Sequence, residues 1–207
     1  MPIRMLRPMA VALLCGALLS PASAAPPGSE AAAVAQGAVR AGDNQGKPFA
    51  VVDKKNARLS IYRADGQLVA STPVLLGLAR GDESVPGIGN RPMAQIKPDE
   101  RTTPAGRFVS EPGRNTGGED IVWVDYDAAV SMHRVRATNK AERRLERLAS
   151  PSVADNRISY GCINVPATFY DTHVKPALGR AHGVVYVLPE QSPARARFAF
   201  LNGGAQD

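Results

Sequence analysis

The chain has 207 residues, of which 44% are hydrophobic, 21% charged and 5% aromatic; 25 Lys+Arg against 19 Asp+Glu give a formal net charge of +6. That balance fits a folded globular domain and excludes a disordered, collagenous or coiled-coil chain. The scarcity of aromatics leaves no stacking platform for single-stranded nucleic acid, and the scattered, modest positive charge does not argue for a nucleic-acid partner.

At the start of the chain, Arg4 and Arg7 precede an apolar run over 9–19 and the small-residue site Ala22-Ser23-Ala24, the three parts of a secretory signal. The run is shorter than the roughly 18–20 apolar residues that a spanning helix needs. Cleavage after Ala24 is expected, giving residues 1–24 as signal peptide and placing the mature protein in the periplasm or cell envelope. Leu13 and Leu14 stand where a lipid-attachment site at Cys15 would want small residues, so lipidation is not expected. Residues 25–46, rich in Ala, Gly and Pro, predict a flexible leader with at most a short helix.

From Phe49 the texture changes. Segments 49–53, 58–63 and 67–76 are β-branched and partly alternating, divided by Lys-Lys-Asn-Ala and Ala-Asp-Gly turns, which predicts a strand meander. Residues 77–106 form a long Gly/Pro-bearing loop of the kind that is more often functional than idle. Strands are expected over 107–110, 121–126 and 128–135. Asn139-x-x-Glu142 has the pattern of a capping box opening a helix to Ala149, with Ala141, Leu145, Leu148 and Ala149 on one face. Pro166 predicts the start of a second helix reaching about Lys175, and 183–188 a last strand. Residues 191–207 are expected to trail as a C-terminal tail.

Loss of the signal would leave one cysteine, Cys162, in an exported protein. A lone secreted thiol is a leftover, an intermolecular bridge or a reactive group. Its surroundings, Ser159-Tyr160-Gly161-Cys162-Ile163-Asn164, point to reactivity. Gly161 leaves room for backbone N–H groups to face a substrate oxygen, and a following helix would favour thiolate at its N-terminus. An unassisted thiol needs a base, and the candidates are His133, His173 and His182. His173 reads as packing or surface, and His182 has no partner pattern. No two histidines have metal-ligand spacing and no Cys pair exists, so neither a metal nor a cofactor is expected. The run Arg143-Arg144-Leu145-Glu146-Arg147 reads as a solvated helix face.

The segment around Cys162 resembles the Ser/Thr-His-Gly-Cys-apolar-Arg/Asn signature of the L,D-transpeptidase catalytic domain. Thr103-Pro104-Ala105-Gly106-Arg107-Phe108 resembles that family's Thr-Pro-x-Gly-x-Phe segment, and Val130-Ser131-Met132-His133 resembles its strand ending in the catalytic histidine. The resemblance covers roughly residues 47–190. It implies a mainly-β domain, an L,D-transpeptidase-like β-sandwich or barrel with two peripheral helices. It also implies a cysteine acyltransferase acting on peptidoglycan stem peptides as donor and acceptor, open to carbapenem-type inhibitors and working as a monomer. Cys162 would be nucleophile and His133 proton acceptor and donor. The Gly161 and Cys162 N–H groups would bind the oxyanion, Ser159 would bond the histidine or the loop backbone, and Asn164 would orient the loop. Two departures stand out: Tyr160 replaces the signature histidine, and His133 lies 29 positions before Cys162, further than is usual in the family, a length that the capped helix 139–149 accounts for. Arg134 also follows His133 where a small residue is common, which would narrow the pocket. A non-catalytic wall-binding module of the same fold and an L,D-carboxypeptidase remain the alternatives.

Overall fold

The computed structural model describes residues 29–203; the signal-peptide expectation over 1–24 lies outside them. The meander opens with β1 (Phe49–Asp53), β2 (Arg58–Tyr62) and β3 (Leu68–Pro73). Short polar side chains close both turns: Asp53 Oδ1 accepts from the Asn56 N–H at 3.1 Å, and Asp65 Oδ1 from the Gln67 N–H at 2.9 Å, as Asx turns do. There follow β4 (Leu76–Gly77), β5 (Gly106–Arg114), β6 (Asp120–Asp125), β7 (Val130–Arg134), β8 (Arg157–Ser159), β9 (Ile163–Val165) and β10 (Gly183–Val187).

Eight strands form one sheet in the order β3-β2-β1-β10-β5-β6-β7-β9, with β1/β10 and β7/β9 parallel and the other pairs antiparallel. The two edges nearly meet. Just past β3, Leu75 exchanges both backbone hydrogen bonds with Asn164 of β9, at 3.0 and 2.8 Å, while β4 pairs with β8. The result is a mainly-β, almost closed barrel, and closure of this kind removes open sheet edges.

Strand alternation splits the buried residues between two faces. Ala50, Val52, Leu59, Ile61, Val122, Met132, Ile163, Val185 and Val187 share one cluster. The helices are, in chain order, α1 (Glu30–Arg40), α2 (Arg144–Ala149), α3 (Ala167–Phe169), a π-helical turn Tyr170–Val174, and α4 (Lys175–Leu178). The stretch from α3 to α4 seals this first cluster, with Tyr170, Val174 and Leu178 fully buried in it. The opposite side of β1 and β10, with Phe49, Val51, Val184 and Tyr186, packs against α1 and α5 (Ala194–Arg197).

Three local expectations give way. Residues 30–40 are not a flexible leader: Ser29 caps α1 by accepting from the Ala32 N–H, and Ala31, Val34, Ala35 and Ala38 bury the i, i+3, i+4, i+7 stripe against the sheet. The expected tail is likewise packed as far as Leu201, with Phe198 and Phe200 each edge-on to Tyr186 at 5.8 Å. Over 139–149 the helix is broken: a 3-10 turn Lys140–Glu142 ends at Arg143, which takes a left-handed φ of 50° before α2 begins. No residue of α2 is buried, and Leu145 is 57% exposed. Among the described residues, no helix is long and apolar enough to cross a membrane.

Candidate active site

Parallel pairing of β7 with β9 puts His133 opposite Asn164 and Met132 opposite Ile163. Cys162, one residue before β9, therefore lies alongside the Ser131–His133 stretch. Its sulfur reaches Ser131 Oγ at 3.7 Å and the Ala129 carbonyl at 3.6 Å, and the His133 imidazole is close enough for the two groups to perturb each other. His133 Nδ1 lies 2.8 Å from the Arg134 carbonyl. A carbonyl only accepts, so Nδ1 carries the proton and Nε2 is left with the lone pair, with Asn164 Nδ2 3.3 Å from it.

The two groups perturb each other. Packing around Cys162 pushes the thiol up, but the neighbouring His133, with help from Ser131, outweighs it and holds the thiol below its ordinary value. Burial pushes His133 down, yet Cys162 and the Arg134 carbonyl outweigh it and the imidazole stands above its ordinary value. Opposite shifts on a sulfur and a neighbouring imidazole make proton transfer from the thiol to the imidazole easier than for either group alone. Both remain partly open to solvent.

The thiolate does not owe its stability to a helix. β9 follows Cys162 directly and the next helix starts at Ala167, so the expected helix N-terminus is too far along the chain to act on the sulfur. Histidine and Ser131 supply that stabilisation instead.

The loop before Cys162 is held from several sides. Gly161 has φ 130°, and a Cβ there would stand 2.8 Å from the Thr102 carbonyl; glycine answers both constraints. Its carbonyl accepts from Thr103 Oγ1 at 2.7 Å, which puts the Thr-Pro segment directly behind the nucleophile. Its N–H, expected to lie open to a substrate oxygen, instead donates to Ser159 Oγ at 3.1 Å. The Ser159 hydroxyl in turn donates to the Cys162 carbonyl at 2.6 Å, so Ser159 bonds the loop backbone rather than the histidine. Tyr160 meets Arg101 through its ring face, with the guanidinium carbon 3.8 Å from the centroid.

Behind this loop lies an ionic cluster that no sequence pattern announces. Lys54, fully buried, donates to Asp82 Oδ1 at 2.9 Å, to the Thr103 carbonyl at 3.0 Å and to the Gly81 carbonyl at 2.5 Å. Arg157 bonds Glu190 at 2.7 Å and the Lys54 carbonyl at 2.9 Å. Two cations and two anions from four separate segments thus balance in a buried space, as such charges must.

Cys162 and His133 open onto a cavity of about 280 Å³ whose wall includes Met93, Arg136, Glu142, Arg144, Tyr160 and Asn164. Arg144, read from sequence as part of a solvated helix face, is here: it bonds Asn164 Oδ1 and forms an ion pair with Glu142. The signal was hidden because the left-handed turn at Arg143 re-aims α2, which no helical periodicity reveals. Arg134, by contrast, does not narrow the pocket. Strand alternation turns it to the other face, where it pairs with Asp120 and Asp171 and covers the Tyr170 ring. His173 packs on Phe169 with ring centroids 4.7 Å apart, and His182 is an exposed neighbour of Glu111.

No family model and no curated protein sequence matches the chain. Solved structures similar to it include the helical cell shape determining protein Pgp2 from Campylobacter jejuni, at 15% identity and TM-score 0.48 over 71% of this chain and 49% of that one. The catalytic domain of the E. faecium L,D-transpeptidase is similar at 19% identity and TM-score 0.37, over 69% of this chain and 98% of that one. The L,D-transpeptidase LdtMt1 in complex with imipenem is similar at 16% identity and TM-score 0.39, over 68% and 58%. The chain thus spans about half the length of the Campylobacter protein.

Proposed function

We propose that the protein is a cysteine acyltransferase of the L,D-transpeptidase type, exported to the cell envelope and acting on peptidoglycan stem peptides. The observation that carries this is the juxtaposition of Cys162 and His133 by the β7/β9 pairing, with His133 Nδ1 anchored on the Arg134 carbonyl and the two groups shifting each other's ionisation, at the wall of an open cavity.

In this reading the Cys162 thiolate attacks the carbonyl carbon of the amide between the third stem residue and the terminal D-alanine. The carbonyl electron pair moves onto oxygen, and the Cys162 N–H receives it, since the Gly161 N–H is engaged by Ser159. The pair returns, the C–N bond breaks, and His133 passes its proton to the departing amine. The thioester is then opened by an amine of a second stem, giving a crosslink, with His133 accepting the amine's proton. Water in place of the amine would make the outcome L,D-carboxypeptidase trimming. Arg136 and Arg144 on the cavity wall, each paired with a glutamate, Glu119 and Glu142, offer polar partners of both signs to a stem peptide. Carbapenems, as reactive acyl analogues, should acylate Cys162 by the same route.

Incubation of the purified protein with tetrapeptide muropeptides, with products read by mass, tests the proposal. Released D-alanine with crosslinked or trimmed products is expected. Unchanged muropeptides together with an unmodified Cys162 after carbapenem treatment would overturn it and leave wall binding without turnover.

A further inference from the structure

We propose that Arg144 is a positioning residue: by bonding Asn164 Oδ1 it locks the Asn164 amide in one orientation and so presents a donor, not an acceptor, to His133 Nε2. The proposal rests on the acyltransferase reading only for its catalytic meaning; the geometry stands by itself.

Asn164 is 1% exposed, and its backbone is held on both sides by the barrel-closing exchange with Leu75. Its side chain therefore has little freedom except an amide flip. Arg144 Nη1 bonds Oδ1, and a guanidinium has donors only. Asn164 Nδ2 stands 3.3 Å from the Cys162 carbonyl and 3.3 Å from His133 Nε2, and a carbonyl only accepts. A flipped amide would set NH2 against the guanidinium and oxygen against a carbonyl. One orientation satisfies every partner, so Nδ2–H points at Nε2.

The consequence falls on the base. With Nδ1–H committed to the Arg134 carbonyl, a donor facing Nε2 accompanies the one Nε2 lone pair and so favours neutral imidazole. Imidazolium would bring Nε2–H against the amide NH2. Arg144 thereby opposes the pull of Cys162 toward permanent imidazolium, keeping His133 able both to take and to return a proton, as a base that must also act as acid requires. Glu142 bonds Arg144 Nε and fixes the direction of the guanidinium. The titratable and charged groups around the imidazole are Cys162, Arg136, Arg144, Glu142 and Tyr160.

The test is an NMR titration of the His133 imidazole in full-length Cys162→Ala protein, which removes coupling to the thiol. Arg144→Leu frees the amide to flip and offer Oδ1 to Nε2–H; the His133 pKa should rise by about one pH unit, a tenfold gain in proton affinity. Loss of the arginine charge alone would also raise it, so the same change is made in an Asn164→Ala background. If Arg144 acts through Asn164, the rise there is less than half as large. Arg144→Gln keeps a donor for Oδ1 without the charge and should shift His133 less than Arg144→Leu; it also serves if the leucine variant fails to fold. Equal rises with and without Asn164, equal rises for Gln and Leu, or no rise for either variant overturn the proposal. The titration needs no substrate, so its failure is separate from failure of muropeptide turnover.

Discussion

The Thr103 hydroxyl donates to the Gly161 carbonyl at 2.7 Å while accepting from the Gly77 N–H at 2.9 Å. One fully buried side chain thus joins the Thr-Pro segment, the start of the long 77–106 loop and the nucleophile loop. Two motifs far apart in sequence are in this way one structural unit. The joint also explains a threonine rather than any β-branched residue there, because valine fills the same volume but bonds neither group.

Thr103→Val is accordingly expected to leave two buried backbone groups without partners, at a cost of about 1–3 kcal/mol in stability. Chemical denaturation measures that loss, and carbapenem acylation of the folded variant should slow with it. Thr103→Ser keeps the hydroxyl and should lose less on both counts. A valine variant as stable as the parent would contradict the bonding described.

The paired shifts of Cys162 and His133 give alkylation and acylation different pH dependence. Thiolate forms as pH rises through the lowered Cys162 value, so iodoacetamide alkylation should have its midpoint below that of an ordinary thiol. Proton return to a leaving amine needs imidazolium, which is lost as pH rises through the raised His133 value, so turnover should fall again on the alkaline side. The two ionisations belong to the pair and appear as macroscopic values. His133→Ala removes the opposing pull on Cys162 and lets burial win: the alkylation midpoint should move up, and acylation should slow by about 10²–10⁴. Cys162→Ser should acylate little, since a hydroxyl does not ionise with comparable ease.

Much of this was legible in the chain, for identifiable reasons. Strands 49–53 and 58–62 carry alternation and short polar turns, and the core uses them as written. Cys162 and His133 stand out by residue type, and their meeting follows from β7 pairing with β9. Yet β8 and β9 are three residues each, too short for any period to register, and so the nucleophile reads from sequence as preceding a helix. The face of α1 is made of alanines with one valine, apolar enough to bury but indistinguishable from a leader by composition. The Lys54 cluster is built from single charges at positions 54, 82, 157 and 190, scattered along the chain, and only folding brings them together.

That cluster should matter to stability out of proportion to its size. Lys54→Met leaves Asp82 without its cation and Glu190 with Arg157 and the more exposed Arg80, at a cost of about 3–5 kcal/mol, the range for breaking a buried pair. Burial pushes the Asp82 carboxyl up, but the N–H groups of Glu190 and Gln191 and the Lys54 ammonium outweigh it and hold it below the usual aspartate range. A depressed folded-state value means that stability is present above the ordinary aspartate pKa and is lost as pH falls through the depressed one. Acid unfolding should therefore be less steep in Asp82→Asn than in the parent, while the variant is less stable at neutral pH. Identical acid transitions would remove Asp82 from that account.

Tyr160 gives the sharpest test, because a histidine at this place marks the family that the segment resembles. In the folded chain Tyr160 braces the loop: Arg101 lies over the ring face at 3.8 Å, and the ring lines the cavity beside Cys162. A cation on a ring face needs the π-system rather than the hydroxyl, and such a contact is worth about 0.5–1 kcal/mol where exposed and ~2 where desolvated. Tyr160→Phe should then acylate at close to the parent rate and lose little stability. Tyr160→Ala should lose about 0.5–2 kcal/mol, with acylation slowed further as the loop loosens. Tyrosine does not act as a base at neutral pH, so the acid–base work falls to His133, and the acylation profile should show one histidine-like ionisation. Tyr160→His keeps an aromatic ring under Arg101 and should remain active without gaining orders of magnitude. A phenylalanine variant that loses acylation would instead assign the hydroxyl a direct part. A histidine variant that switches on an otherwise inert protein would mark Tyr160 as the scar of a lost activity and leave a wall-binding module.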